Sequence, residues 1–135
     1  MGRKKARDGA FKCVYQLEFS QDEIIKEKIL ENCFEENLNS EDEKEYIENV
    51  LDGVISNLEE IDNIILSNLK NWTISRIAKI DLAILRVAIY ELKFGDLNTP
   101  VKVVANEAVE LAKTYGNNDS RSFVNGLLAK VIEEK

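Results

Sequence analysis

Residues 77–92 read IAKIDLAILRVAIYEL, and this stretch decides the fold. Its apolar residues fall into two rows at helical spacing, so they cover most of the circumference of one helix. The rows are Ile77, Ile80, Ile84 and Val87, and Leu82, Leu85, Ile89 and Leu92. A helix that is apolar nearly all round belongs in the centre of a bundle. We therefore expect residues 77–92 to form the most buried helix, with Ile84 in the core.

Helical patterns flank this stretch on both sides, with apolar residues three or four positions apart. The further predicted helices are Lys4–Phe19, Asp22–Glu36, a helix from Ser40 to about Ile55, Leu58–Leu69, a helix from Pro100 to Gly116, and a last one after Ser120. Their inward residues include Ala6, Ala10, Cys13, Val14 and Leu17, then Ile25, Ile29 and Cys33, then Tyr46, Ile47, Val50, Leu51, Val54 and Ile55. The sequence thus predicts an all-α fold, a compact bundle of about seven helices.

Local signals mark the helix ends. Ser40 and Glu43 have the spacing of a capping box, in which each side chain binds an unpaired backbone amide. Thr99 is expected to cap the next-to-last helix, with Pro100 at its first position. Gly116 is expected to end that helix in a left-handed conformation. Residues 117–120 then predict a turn and a cap.

Two aromatic residues lie next to predicted joints. Trp72, within the joint at residues 71–73, is expected to plug the core, and stacking on a base is the alternative. Phe123, just after the turn at 117–120, is left open between a core position and an exposed contact.

Motifs for catalysis and metal binding are absent from the sequence. It contains no histidine, which excludes Ser–His and Cys–His pairs and the Glu-x-x-His di-iron motif. No glycine-rich dinucleotide or phosphate-loop motif is present. Cys13 and Cys33 are predicted to be reduced, buried thiols, with a disulfide or redox role as the alternative. We expect a binding protein, not an enzyme, with no catalytic residue, cofactor or metal.

The charge of the chain is unevenly distributed. The net charge is −7, yet residues 1–17 carry five basic side chains and one acidic, while residues 18–62 carry sixteen acidic and three basic. Four of the five bases, Arg3, Lys4, Lys5 and Arg7, cluster at the start of the first predicted helix. An acidic protein with such a basic end can present that end to a polyanion. The alternative is a solvated terminus without a ligand.

Membrane insertion and secretion are not predicted. No stretch approaches the roughly 20 apolar residues that a membrane helix needs. Arg7, Asp8 and Lys12 interrupt the position where the apolar core of a signal peptide would follow the basic start. We expect a cytoplasmic protein.

Three blocks of the sequence resemble the NusB family. The first is Ala6-Arg7-x-x-Ala10 followed by Val14-Tyr15. The second is Trp72-Thr73-Ile74-Ser75-Arg76-Ile77 followed by DLAILRVAIYEL at residues 81–92. The third is Pro100, Asn106-Glu107-Ala108-Val109-Glu110-Leu111-Ala112-Lys113, Ser120 and Phe123-Val124-Asn125-Gly126. Their order and spacing span essentially the whole chain, and residues 18–62 match least well.

The resemblance implies a single RNA-binding domain over residues 1–135, built from two packed helical subdomains at about 1–70 and 71–135. It implies a bacterial factor that pairs with the ribosomal small-subunit protein NusE and binds single-stranded boxA RNA of nascent ribosomal transcripts. That assembly would join the elongating RNA polymerase and suppress premature, Rho-dependent termination. The alternative is a helical protein–protein scaffold that binds no RNA. Whether the free protein forms a homodimer is left open.

Charge and resemblance together assign site residues. The predicted RNA-binding residues are Arg3, Lys4, Lys5, Arg7, Asp119 and Phe123. Asp119 is expected to cap the last helix and shape the turn, because its charge repels phosphate. The predicted partner-binding residues are Tyr15 and Asp81. Other motif residues, Arg86, Tyr90, Glu91, Asn106 and Glu107, are expected mainly to be structural, in Arg–Glu or Tyr–carboxylate networks.

Overall fold

The computed structural model describes residues 3–19, 28–31, 40–95 and 99–133. Its bounded helices are α1 (Arg3–Phe19), α2 (Glu41–Ser56), α3 (Leu58–Ser67), α4 (Lys79–Ile89), α5 (Val101–Tyr115) and α6 (Ser120–Glu133). Residues 28–31 are also helical, and no strand occurs in the described ranges. The prediction of an all-α fold with about seven helices is confirmed. None of the described helices combines the length and hydropathy needed to cross a membrane.

Helix α4 is the central helix, as its two apolar rows predict. Every residue from Asp81 to Ile89 is buried, and Ile84 is only 1% exposed. Helices α1, α3, α5 and α6 all pack against α4, and a π-helical turn over Tyr90–Phe94 extends it. The burial of both rows removes apolar surface from water, which is the main driving force for folding.

Helices α1 and α2 follow the predicted pattern with one exception. Both hydrogen bonds of the capping box are present, from the Glu43 amide to Ser40 Oγ at 3.2 Å and from the Ser40 amide to Glu43 Oε1 at 3.0 Å. The inward stripe of α1 is buried except for Leu17, which is half-buried. The prediction that Ile55 is buried is wrong, since it lies at the edge of the stripe in the last turn of α2 and is 39% exposed.

The two ends of α5 differ from prediction. Pro100 is the N-cap and not the first helical residue, because its ψ of 143° is extended. Its carbonyl accepts the Val103 and Val104 amides at 3.0 and 3.2 Å. Gly116 is not left-handed, since its φ is −91° and its ψ is −170°. Glycine fits there because a Cβ atom would lie 2.8 Å from the Ala112 carbonyl oxygen and closer still to the Ser120 side chain.

Some predictions lie outside the described residues. They include most of the predicted helix at 22–36, with Ile25 and Cys33, and the loop at 96–98. Within that helix Ile29 is described and is buried, and Cys13 in α1 is also buried. The division into two subdomains near residue 70 stays a prediction.

Candidate functional site

The first turn of α4 holds a buried carboxylate that is incompletely paired. Asp81 is 7% exposed, and burial raises the pKa of its carboxyl group, an effect that the Ser120 hydroxyl partly opposes by hydrogen bonding. Among buried side-chain polar atoms of the described residues, Asp81 Oδ1 is the one without a hydrogen-bond partner. Buried polar atoms are nearly always paired, so this oxygen requires an explanation.

Asp81 lies in a surface depression of about 370 Å³ between α1, α4 and the turn from α5 to α6. The depression is lined by Tyr15, Ala78, Lys79, Ile80, Asp81, Tyr115, Gly116, Asn117 and Ser120. The structure therefore brings together the two predicted partner-binding residues, Tyr15 and Asp81. Phe11 links the aromatic wall, with ring centroids 6.1 Å from Tyr15 and 5.0 Å from Tyr115. The depression combines aromatic walls with the acidic residue Asp81, which suits a partner that supplies a hydrogen-bond donor.

The turn beside the depression is held by Asn117 and Ser120. Asn117 Oδ1 accepts the backbone amides of Asp119 at 2.9 Å and Ser120 at 3.2 Å, and the Asn117 amide donates to Ser120 Oγ at 3.0 Å. Asn117 thus orders the turn, and the side-chain cap expected from Asp119 stays a prediction. Asp119 itself is exposed and contributes its backbone carbonyl, which accepts the Phe123 amide at 3.0 Å.

Next to this turn, two aromatic rings meet at the surface. The Trp72 and Phe123 centroids are 6.1 Å apart with planes inclined by 29°, and the Arg76 guanidinium lies 5.6 Å from the Trp72 centroid. The expectation that Trp72 plugs the core is wrong, because Trp72 is 40% exposed and rests on Phe123. Phe123 is half-buried, which is between its two predicted states.

The opposite end of α4 holds a buried ion pair. Arg7 Nε and Nη2 donate to Glu91 Oε2 and Oε1 at 2.9 and 3.0 Å, and the Tyr46 hydroxyl donates to Oε2 at 2.6 Å. Burial alone would lower the pKa of Arg7, but Glu91 outweighs it, so the net shift is upward. Arg86 likewise binds Asp62 and Glu18. The predicted internal networks of Glu91 and Arg86 are confirmed.

The predicted RNA-binding residues are only partly on the surface. Lys4 is exposed, and Lys5 keeps 55% of its side chain exposed beside Glu43, at 4.0 Å. Arg3 begins α1, and its side chain lies outside what the structure describes. Arg7 is 4% exposed, so its guanidinium serves Glu91 and does not reach the surface.

The surface residues also lie at two ends of α4. The basic start of α1 lies near Glu91, because Arg7 binds Glu91. Asp119 and Phe123 lie near Asp81, because their neighbour Ser120 lines the same depression as Asp81. These two acids are ten residues apart along the helix, which is roughly 15 Å at 1.5 Å per residue. The two groups thus do not form one cluster, and their contact with RNA stays a prediction.

Three residues of the depression were missed as site residues. Asn117 and Ser120 could have been found, because an Asn three residues before Ser is a common spacing for side-chain bonds to turn amides. Tyr115 carried no such signal, since its role depends on how α5 packs on α1. Its hydroxyl donates to Asp8 Oδ1 at 2.5 Å. Burial and Asp8 raise the pKa of Tyr115, which keeps the phenol protonated.

Comparison with known proteins extends these observations. A family model described as the NusB family matches residues 4–133. The transcription antitermination protein NusB of Acetivibrio thermocellus is 47% identical over 135 residues, covering 100% of this chain and 91% of that protein. The protein of the same name from Listeria monocytogenes is 37% identical over 134 residues, covering 99% and 98%.

Solved structures share the fold over the whole chain. A structure of T. maritima NusB has a TM-score of 0.90 and 36% identity, covering 99% of this chain and 92% of that one. A crystal structure of the antitermination factors NusB and NusE in complex with dsRNA contains a chain with a TM-score of 0.88 and 29% identity, covering 98% and 97%.

Proposed function

Since this chain belongs to the NusB family of transcription antitermination proteins, we propose that it binds single-stranded boxA RNA together with a NusE-like ribosomal protein. The family consists of antitermination factors and not of enzymes. The observation that carries the proposal is the solved complex of a relative with NusE and dsRNA, at a TM-score of 0.88, which supports the protein partner and RNA as a ligand. The single-stranded boxA target rests on the family resemblance. The protein-RNA assembly then joins the elongating RNA polymerase and suppresses Rho-dependent termination.

The exposed basic start of α1 supplies the phosphate contacts in this proposal. Arg3, Lys4 and Lys5 neutralise phosphates and release counterions, so RNA affinity depends on salt. The sixteen acidic residues among residues 18–62 repel RNA, so contact is favoured at basic segments such as this one. Base edges exposed in single-stranded RNA provide sequence discrimination.

A charge-removal series tests RNA binding. Replacing Arg3, Lys4 and Lys5 with alanine is expected to weaken binding of a short boxA-like RNA at least tenfold in a filter-binding assay. If about three phosphates are neutralised, log affinity falls against log salt with a slope near −2 in the parent protein, and the variant flattens it. Arg7 stays unchanged because it is buried.

A matched control removes the same charge elsewhere. Lys102, Lys113 and Lys130 are exposed on α5 and α6, and their replacement with alanine should leave the salt slope unchanged. Equal weakening by both triple variants would mean that net charge alone governs binding. No RNA binding with or without the partner would favour the scaffold without RNA instead.

The depression around Asp81 is the proposed partner site. Asp81→Lys places a cation where the partner is expected to supply a donor, and it should abolish co-purification with the NusE-like protein while leaving the circular dichroism spectrum unchanged. Glu110→Lys makes the same charge change at an exposed position of α5 and should have no effect. Undiminished complex formation with Asp81→Lys would refute the assignment of this site.

A further inference from the structure

The surface at the Asp81 end of α4 carries an exposed aromatic residue, Trp72, that is not among the predicted site residues. We define the aromatic patch as Trp72, Phe123 and Arg76. The other large exposed hydrophobic side chains of the described residues are aliphatic, namely Ile55, Val101 and Val103, whereas Trp72 leaves 40% of its surface open to water. A ligand that covers the exposed part of the indole ring removes apolar surface from water, which favours binding.

The charge around the aromatic patch is positive. Residues 70–77 include Lys70 and Arg76 and no acid. Both basic residues are exposed. The exposed acid nearby is Asp119, at the preceding turn. In a chain of net charge −7, a ring flanked by cations fits an anionic ligand with flat faces.

We propose that the aromatic patch is a stacking platform for an unpaired base of single-stranded RNA, with Trp72 as the principal ring. Arg76 and Lys70 contact the adjoining phosphates, and Phe123 holds Trp72 in place from the side of α6. Aromatic side chains and arginine together are the usual means of holding unpaired bases. This inference rests on the proposed RNA binding and adds Trp72, Arg76 and Lys70 to it.

The position of the aromatic patch also gives RNA a path across the protein. The basic start of α1 lies at the Glu91 end of α4, and the patch adjoins the Asp81 end. Because Asp81 and Glu91 are ten residues apart, roughly 15 Å along the helix, a strand that contacts both the basic start and the patch has to extend over a distance of that order. In this proposal the basic start near Glu91 binds phosphates, and the aromatic patch near Asp81 stacks a base.

The single tryptophan of the chain makes a direct test available. Titration of the unmodified protein with an unstructured boxA-like RNA, in the presence of the partner, is expected to quench Trp72 fluorescence. An abasic RNA of the same length should bind through its phosphates without that quenching. Anisotropy of labelled RNA measures total binding independently, and Trp72→Ala should weaken it roughly 5- to 150-fold, the range for loss of one stacked base.

Controls separate the aromatic patch from general effects. Val103→Ala changes an equally exposed hydrophobic residue and should leave RNA affinity unchanged, while Arg76→Gln should lower it. RNA binding without quenching, or equal quenching by abasic RNA, overturns the stacking platform and leaves the proposed function intact. Quenching by the protein partner alone assigns the patch to protein docking and also overturns it. Absence of RNA binding in both measurements overturns the proposed function itself.

Discussion

Helix α4 and the π-helical turn that extends it carry one buried acid near each end, and the two acids differ in their hydrogen bonds. Glu91 accepts two hydrogen bonds from Arg7 and one from Tyr46. Asp81 lines an open depression, and its buried Oδ1 has no hydrogen-bond partner. Leaving a buried polar atom unpaired costs about 1–3 kcal/mol. Glu91 therefore stabilises the fold, whereas Asp81 does so less well and is the acid of the proposed partner site.

The largest effect is expected at the paired end. Glu91→Ala leaves the Arg7 guanidinium buried without its carboxylate, and it should lower the free energy of unfolding by about 3–5 kcal/mol, as for other broken buried pairs. Urea unfolding measures this change. Glu59→Ala, at an exposed position of α3, is the control and should have little effect. A loss below about 1 kcal/mol for Glu91→Ala would contradict the structural role of the pair.

The middle of α4 provides the reference for these two ends. Ile84→Ala removes a fully buried side chain that contacts no ligand, and it should cost roughly 2–5 kcal/mol. Thermal or urea unfolding measures the loss, and RNA and partner binding of the folded fraction should be unchanged. A loss under about half a kcal/mol would contradict the central position of Ile84.

The sequence predicts a feature well when the residues that determine it lie within one helix, and poorly when they come from different segments of the chain. The burial of α4 and the capping box of α2 follow from residue spacing within one helix, and both are confirmed. Arg7 could also have been recognised as buried, since it lies three residues before Ala10 and seven before Val14, on the same helix face. The environments of Trp72 and Gly116 could not be predicted from residue spacing. Trp72 contacts Phe123 and Gly116 lies against Ser120, and these contacts form only when the chain folds.

Gly116 tests whether the Asp81 end is closely packed. A Cβ atom at Gly116 would lie 2.8 Å from the Ala112 carbonyl oxygen, so Gly116→Ala should destabilise the protein by about 1–3 kcal/mol. Gly126 in α6 has no atom within 4 Å of the equivalent position. Gly126→Ala should therefore stabilise the helix by about 0.5–1 kcal/mol. Thermal unfolding of both variants measures these changes in stability. A shift of the melting temperature in the same direction for both variants would refute the packing argument.

The smallest effect is expected at the unpaired end, and it has a pH signature. Because burial raises the folded-state pKa of Asp81 above its unfolded value, the folded protein binds this proton more tightly. The contribution of Asp81 to stability therefore falls as pH rises between the two values, and above the folded pKa the penalty is complete. Asp81→Asn removes the charge and should stabilise the free protein by on the order of 1 kcal/mol at neutral pH. Near pH 4, the ordinary range of an aspartate, the gain should shrink towards zero.

The same variant should bind the partner less tightly, because the donor from the partner then meets a neutral amide. Urea unfolding at both pH values and co-purification measure the two effects. Asp81→Asn that destabilises the free protein at neutral pH would place Asp81 with Glu91 as a structural acid and would remove the contrast between the two ends.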